Sequence, residues 1–144
     1  MGSLGYPNFS KLNQEMIVSI QFSKDHYWVR ILDAHYTNTA VVGVTPQALD
    51  GLGDLIAVAL PKIGETFAQG AAAAVVESAK AASDVYIPVA GEIVEINESL
   101  RSTPTLANTD PLNVGWFFKV KLSDPGQLDA LLDEAAYAEL LRTP

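Results

Sequence analysis

The chain has 144 residues, enough for one domain with its own core, and 49% hydrophobic content points to a globular fold rather than disorder. Its net charge is −8 and its nine basic residues are scattered, which argues against nucleic-acid binding. With no cysteine, disulfides, thiolate catalysis and thiolate metal sites are excluded, and the two histidines, His26 and His35, are too few to suggest a metal cluster.

The opening MGSLGYPNFS lacks a charged region followed by an apolar stretch, so it does not read as a secretory signal. Tyr6 stands where a myristoylation pattern would need Ser or Thr, and no apolar run approaches the length of a membrane span. A cytoplasmic location is expected, or the mitochondrial matrix in a eukaryote. Residues 1–15, broken by Gly5, Pro7 and Asn8, are expected to form a flexible arm, and residues 16–144 a single domain.

Met16 to Phe22 alternates partly and is expected to be a strand, and Trp28 reads as a core residue. Thr39 to Val44 is a short β-like run. Thr45 and Pro46 then mark a helix start, with Thr45 as cap, Leu49 and Leu52 on one face, and Gly51 and Gly53 as an early stop. Leu55 to Leu60 is expected to be a buried strand. Pro61-Lys62-Ile63-Gly64-Glu65 and Pro88-Val89-Ala90-Gly91-Glu92 share Pro-x-x-Gly-Glu at a spacing of 27 residues, each after an apolar run. Two such strand-turn units could pack as quasi-symmetric halves of a sandwich or flattened barrel.

Residues 71–84 pull two ways. Ala71 to Ala74 and Ala79 to Ala82 favour helix, whereas Val75, Val76, Val85, Tyr86 and Ile87 favour strands. On the strand reading, Lys80 sits at a hairpin tip among small residues, with Glu77 and Asp84 on either side. It is the only basic residue between Lys62 and Arg101. By itself this residue is either an ordinary solvated lysine or an amine held out for an enzyme.

Gly91 to Asn97 reads as a strand, followed by one or two helical turns with Asn97 and Thr103 as caps. Thr109 to Leu112 is a turn, and Trp116 to Leu122 a strong strand. Asp124 can cap a helix with Pro125 at its first position and Gln127 three residues on. Leu128, Leu131, Leu132, Ala135 and Ala136 form an apolar stripe, and Asp133 starts a second short helix to Leu141.

Glu77-Ser78-Ala79-Lys80-Ala81-Ala82-Ser83-Asp84, followed by Tyr86, Pro88, Gly91-Glu92 and Asn97-Glu98, resembles the lipoyl-attachment region of the glycine cleavage system H proteins. Gly53-Asp54-Leu55-Ile56 with Leu60-Pro61, then Asn108, Asp110-Pro111 and Gly115-Trp116, extend the resemblance over roughly residues 20–142. Biotin carriers usually flank their lysine with Met; alanine on both sides here favours lipoyl. The resemblance decides the ambiguous stretch as strand, tip, strand. It implies a mainly β fold with short helices, a barrel-sandwich hybrid (a lipoyl-domain-like flattened β-barrel) plus C-terminal helices.

The implied role is a non-catalytic carrier, expected to be a monomer, with lipoic acid attached covalently to Lys80. It would take the aminomethyl group of glycine from glycine decarboxylase to aminomethyltransferase and be reoxidised by dihydrolipoyl dehydrogenase. A lipoate ligase or lipoyl transferase would modify it; nucleic acid and membranes are not expected as partners. In this family a loaded arm can fold into a cleft lined by acids, one from a His-Glu-Trp motif and one four residues after the lysine. Here the second acid is Asp84, but the motif reads His26-Tyr27-Trp28, so a neutral phenol replaces a carboxylate. A weaker hold on the loaded arm is the expectation. Glu77 is either a solvated rim acid or a residue that helps position the hairpin for the lipoylating enzyme, and His26 is expected to be structural. The Tyr27 departure leaves room for a relay that supplies lipoyl or octanoyl groups to other lipoate-dependent enzymes. An unmodified β-sandwich interaction domain is the third reading.

Overall fold

A computed structural model describes residues 19–31 and 38–142. The expected arm over 1–15, the first residues of the Met16–Phe22 strand, and His35 lie outside them. The strands are β1 (Ser19–Phe22), β2 (Tyr27–Ile31), β3 (Thr39–Val44), β4 (Leu55–Ala59), β5 (Thr66–Phe67), β6 (Ala72–Ser78), β7 (Ala82–Tyr86), β8 (Gly91–Ile96) and β9 (Phe118–Leu122). They form a six-stranded sheet in the order β1-β2-β3-β9-β8-β5 and a three-stranded sheet in the order β4-β6-β7. Every pairing is antiparallel.

Strand alternation explains the packing. Val29, Ile31, Val42, Val44, Phe118 and Val120 join Val76, Val85 and Ile87 in the main core. The opposite face of β2 and β3 sends Trp28 and Val41 into a smaller core with Phe22 and Tyr137. Successive residues of a strand point to opposite faces, so β2 and β3 carry apolar residues on both and need cover on both. Gly43 makes room for this: a Cβ there would lie 2.5 Å from the Trp28 ring.

The fold is mainly β, as expected, and the ambiguous alanine-rich stretch is the β6–β7 hairpin. Leu55 to Leu60 is not a buried strand throughout. Only Leu55 and Val58 of β4 are buried, and Ile56 is 60% exposed. The cause is a register shift between Leu55 and Ala57; a bulge of this kind re-aims side chains along the strand. The first Pro-x-x-Gly-Glu segment bonds the residue that follows the second: Gly64 N–H donates to Ile93 C=O at 2.7 Å and Ile93 N–H to Glu65 C=O at 2.8 Å. Their glycines serve different ends. Gly64 has φ +93 in a turn, whereas a Cβ on buried Gly91 would stand 2.2 Å from the backbone oxygen of Lys121.

The short helices are a 3-10 turn Pro46–Leu49, α1 (Ser99–Ser102), α2 (Leu106–Thr109), a 3-10 helix Pro125–Ala130 and α3 (Glu134–Arg142). Asn97 Oδ1 accepts from Ser99 N–H, and Asp124 and Asp133 accept from Gly126 N–H and Ala136 N–H, as their capping types favour. Thr103 does not start a helix; it ends α1. Thr45 precedes the first 3-10 turn without a side-chain cap, because its hydroxyl is engaged elsewhere. Gln127 does not reach back to its own helix start: its Oε1 accepts from Ala90 N–H at 2.7 Å. Ala135 and Ala136 are exposed, and the buried residue of α3 is Tyr137. Among the described residues no helix is long and apolar enough to cross a membrane.

Candidate functional site

Lys80 stands at the tip of the β6–β7 hairpin and is exposed. Neither Ala79 nor Lys80 has a positive φ, so the tip uses neither of the primed turns common in tight hairpins. Ser78 closes it instead. Its N–H donates to Ala81 C=O at 2.9 Å. Its Oγ accepts from Lys80 N–H at 3.1 Å and Ala81 N–H at 3.3 Å. Ser78 is only 5% exposed, so the hydroxyl is fixed beneath the tip while the lysine above it is open. The ion pairs of the described residues join Arg101 to Glu98, Lys119 to Glu95 and Arg142 to Glu139, and Lys80 enters none of them.

Glu77 and Asp84 share one face of the hairpin. Glu77 pairs with Ala82, Val75 pairs with Asp84, and all four residues are exposed. Across an antiparallel pair this makes the two carboxylates diagonal neighbours. The acids expected to flank the lysine therefore lie together on the outer surface of the small sheet.

Tyr27 is brought to the same strand from the large sheet. It is 7% exposed, and its Oη donates to the backbone oxygen of Asp84 at 3.4 Å. Since β7 is an edge of the small sheet, the phenol ties that edge to β2. Burial pushes the Tyr27 phenol above its ordinary value of 10.0; a backbone hydrogen bond at Tyr86 partly offsets this, and Asp25, Tyr86 and Asp84 add to it. The phenol is neutral near neutral pH.

Beside Tyr27, the first residue of β2, runs a groove of about 260 Å³ whose lining includes Lys24 and Asp25 of the β1–β2 turn, Tyr86, Pro88 and Leu131. Of the candidate site residues Lys80, Glu77, Asp84, Tyr27 and His26, Tyr27 is the one that lines it. His26 turns away: its Nδ1 lies 2.8 Å from Tyr137 Oη, and its backbone has φ 73. A larger hollow of about 750 Å³ lies elsewhere, between Ile20, Arg30 and Leu112 and the start of α3, away from the hairpin tip. In the sequence Ser78 and Tyr86 stand out only as parts of the lysine segment, and Tyr137 does not stand out; none is expected as a site residue. Ser78 was detectable as a hydroxyl two residues before a turn residue; Tyr137 was detectable only as the one aromatic in an alanine-rich helix.

The blocks that extended the resemblance are structural. Asn108 clamps the chain before β4, donating to Gly53 C=O at 3.0 Å and accepting from Leu55 N–H at 2.9 Å. Leu55 pairs with Ser78, so this clamp supports the tip. Gly115 has no room for a Cβ, which would meet the backbone oxygen of Leu106 at 2.5 Å.

The structure is a small two-sheet β domain with an exposed lysine on a hairpin tip, outside the ion pairs of the described residues. Residues 20–144 match the glycine cleavage H-protein family. The chain is 49% identical over 122 residues to the glycine cleavage system H protein of Klebsiella pneumoniae subsp. pneumoniae, covering 85% of this chain and 92% of that one. It is 47% identical to the glycine cleavage system H protein of Xanthobacter autotrophicus, covering 88% and 98%. A crystal structure of a glycine cleavage system H protein from Mycobacterium marinum superposes with a TM-score of 0.75 at 34% identity, covering 86% of this chain and 97% of that one. The chain belongs to the glycine cleavage H-protein family, the lipoyl carrier component of the glycine cleavage system. The other components of that system are its partners.

Proposed function

We propose that Lys80 is the lipoyl attachment residue, and that the chain catalyses no step itself. One observation carries the reading: Lys80 is exposed on a tip whose backbone is fixed by Ser78, and its side chain enters none of the ion pairs of the described residues. An amide between Nζ and the carboxyl of lipoate would remove that charge without breaking any ion pair. The attached dithiolane supplies the sulfur chemistry. The chain's residues supply presentation and reach. A tethered group stays near any docked enzyme at an effective concentration of the order of millimolar.

In this reading glycine decarboxylase loads the aminomethyl group of glycine, aminomethyltransferase removes it, and dihydrolipoyl dehydrogenase restores the disulfide. A lipoate ligase or lipoyl transferase makes the amide, and the carrier acts as a monomer. The groove beside Tyr27 is where a loaded arm swung back along β7 would rest. Tyr86, Pro88 and Leu131 offer apolar cover there, and Asp25, Lys24 and the Tyr27 phenol contribute to its polar part, with Asp25 the group that would attract a loaded amine. Asp84, expected to line the cleft, instead reaches it through its backbone oxygen on Tyr27. Glu77 stands on the outer face, open to the lipoylating enzyme.

The test is intact mass after incubation with a lipoate ligase, ATP and lipoate. The wild type gains one lipoyl group and Lys80→Arg gains none while remaining folded. A lipoyl increment that persists in the variant would overturn the assignment.

A further inference from the structure

We infer that Tyr137, on the C-terminal helix α3, is a positioning residue for the groove: through a closed ring of hydrogen bonds with His26 and Thr45 it holds the β1–β2 turn that forms one wall. The inference rests on the proposed role of the groove as the resting place of the loaded arm.

The ring contains no slack. Thr45 Oγ1 donates to His26 C=O at 3.1 Å, which uses its single proton. For all three contacts to be made with the protons available, its 2.8 Å contact with Tyr137 Oη is one it accepts, and the phenol donates. Tyr137 has one proton as well, and it is now spent. The 2.8 Å contact between Tyr137 Oη and His26 Nδ1 is therefore donated by the imidazole. The donors run His26 to Tyr137 to Thr45 and back to the His26 backbone, and Thr45 N–H adds a second bond to the same carbonyl at 3.0 Å.

What the ring fixes is a backbone that a histidine adopts at a cost. His26 has φ 73, in the left-handed region that favours glycine. That rotation lets Ser23 to Asp25 fold back, with Ser23 N–H donating to Tyr27 C=O at 2.8 Å. It also lets Tyr27 enter the sheet. Asp25 and Tyr27, on either side of His26, both line the groove. Tyr137 is itself seated independently of its hydroxyl, since its ring stacks on Phe22 at 4.4 Å and 6°. The phenolic oxygen is thus free to serve the turn.

Two variants and two readouts test this. Tyr137→Phe keeps the stack and breaks the ring, whereas Leu140→Ala thins the same small core and leaves the ring whole. In the unmodified wild type, histidine 15N NMR should show His26 protonated at Nδ1 in its neutral form; in Tyr137→Phe that preference relaxes. In the lipoylated, aminomethyl-loaded protein, isolated from its enzymes, Tyr137→Phe should lose the cargo about 2- to 10-fold faster than wild type, the range one hydrogen bond commands. Leu140→Ala should lower the melting temperature and leave the loss rate at the wild-type value. The inference is overturned if Tyr137→Phe keeps the wild-type rate, if Leu140→Ala accelerates loss equally, or if His26 Nδ1 carries no proton. Loss from the folded wild type as fast as from the same protein unfolded in urea would instead overturn the groove's sheltering role, and the inference with it.

Discussion

At the tip between β6 and β7, the side-chain contacts come from within three residues: the Ser78 hydroxyl bonds Lys80 and Ala81 and nothing farther away, though the Ser78 backbone also pairs with Leu55 of β4. At the turn between β1 and β2 the partners are remote, with Thr45 19 residues and Tyr137 111 residues from His26. The tip keeps its shape by local chemistry, so it can project a lysine clear of the body and still offer the same backbone to each enzyme that meets it. The turn has its shape imposed by the rest of the fold, which is what a groove wall needs if it is to stay in register with a strand of the other sheet. Presentation and shelter are thus specified at different ranges of sequence.

The largest way to disturb this contrast is at Tyr27. Replacing it with glutamate supplies the carboxylate found in the family's motif, but at a site 7% exposed whose hydroxyl now ties down the edge of β7. Tyr27→Glu should destabilise the fold by about 2–4 kcal/mol, the sum of lost aromatic packing and a poorly solvated acid, read as a lower urea midpoint. If a carboxylate at position 27 adds to the hold that Asp25 already offers, the loaded variant should also release its aminomethyl group more slowly than wild type. Equal rates of release would show that the phenol already does the acid's work. The tip should be indifferent, with Lys80 lipoylated in both proteins.

A smaller effect is expected at the tip. Ser78→Ala removes the acceptor for two backbone N–H groups and should cost about 1 kcal/mol. Because the contacts are local, the loss should appear as faster hydrogen exchange at Lys80 and Ala81, without change at Tyr27 or Tyr137. Exchange that rises equally across the β1–β2 turn would show that the two connections are coupled and the contrast is false.

The same contrast explains what the sequence disclosed. Thr39–Val44 and Phe118–Leu122 are legible because β-branched and aromatic residues alternate or run together there. The tip was legible once the lysine segment was matched, because its small residues and its serine act on their immediate neighbours. Thr45 and Gln127 misled for one reason: each fits a local helix cap, yet each gave its polar atoms to a partner far along the chain, Tyr137 in one case and Ala90 in the other. Exposure of Ile56 depended on a bulge set by pairing with β6, which no periodicity in β4 announces. The groove was the least legible part, since Gly70, Tyr86 and Leu131 meet only when the two sheets and the C-terminal segment are assembled.

The smallest effect separates the two regions by pH. Burial raises the Tyr27 phenol above 10.0, and burial likewise raises Tyr137. A raised phenol binds its proton more tightly in the folded chain than in the unfolded one. The stabilisation this represents is fully present below pH 10, where both states are protonated, and is lost as pH rises through the folded values, where the unfolded chain ionises first. Neutral and mildly alkaline solutions should show nothing from these groups. Above about pH 10 the unfolding midpoint should fall more steeply in wild type than in Tyr27→Phe, which has no proton to lose at that position. Both tyrosines belong to the turn and its brace, and the tip has no phenol in its contacts. Alkaline loosening should therefore appear first in the exchange rates of residues 23–27, with those of 78–81 following only at global unfolding; the reverse order would place the stability of the groove wall somewhere other than in Tyr27 and Tyr137.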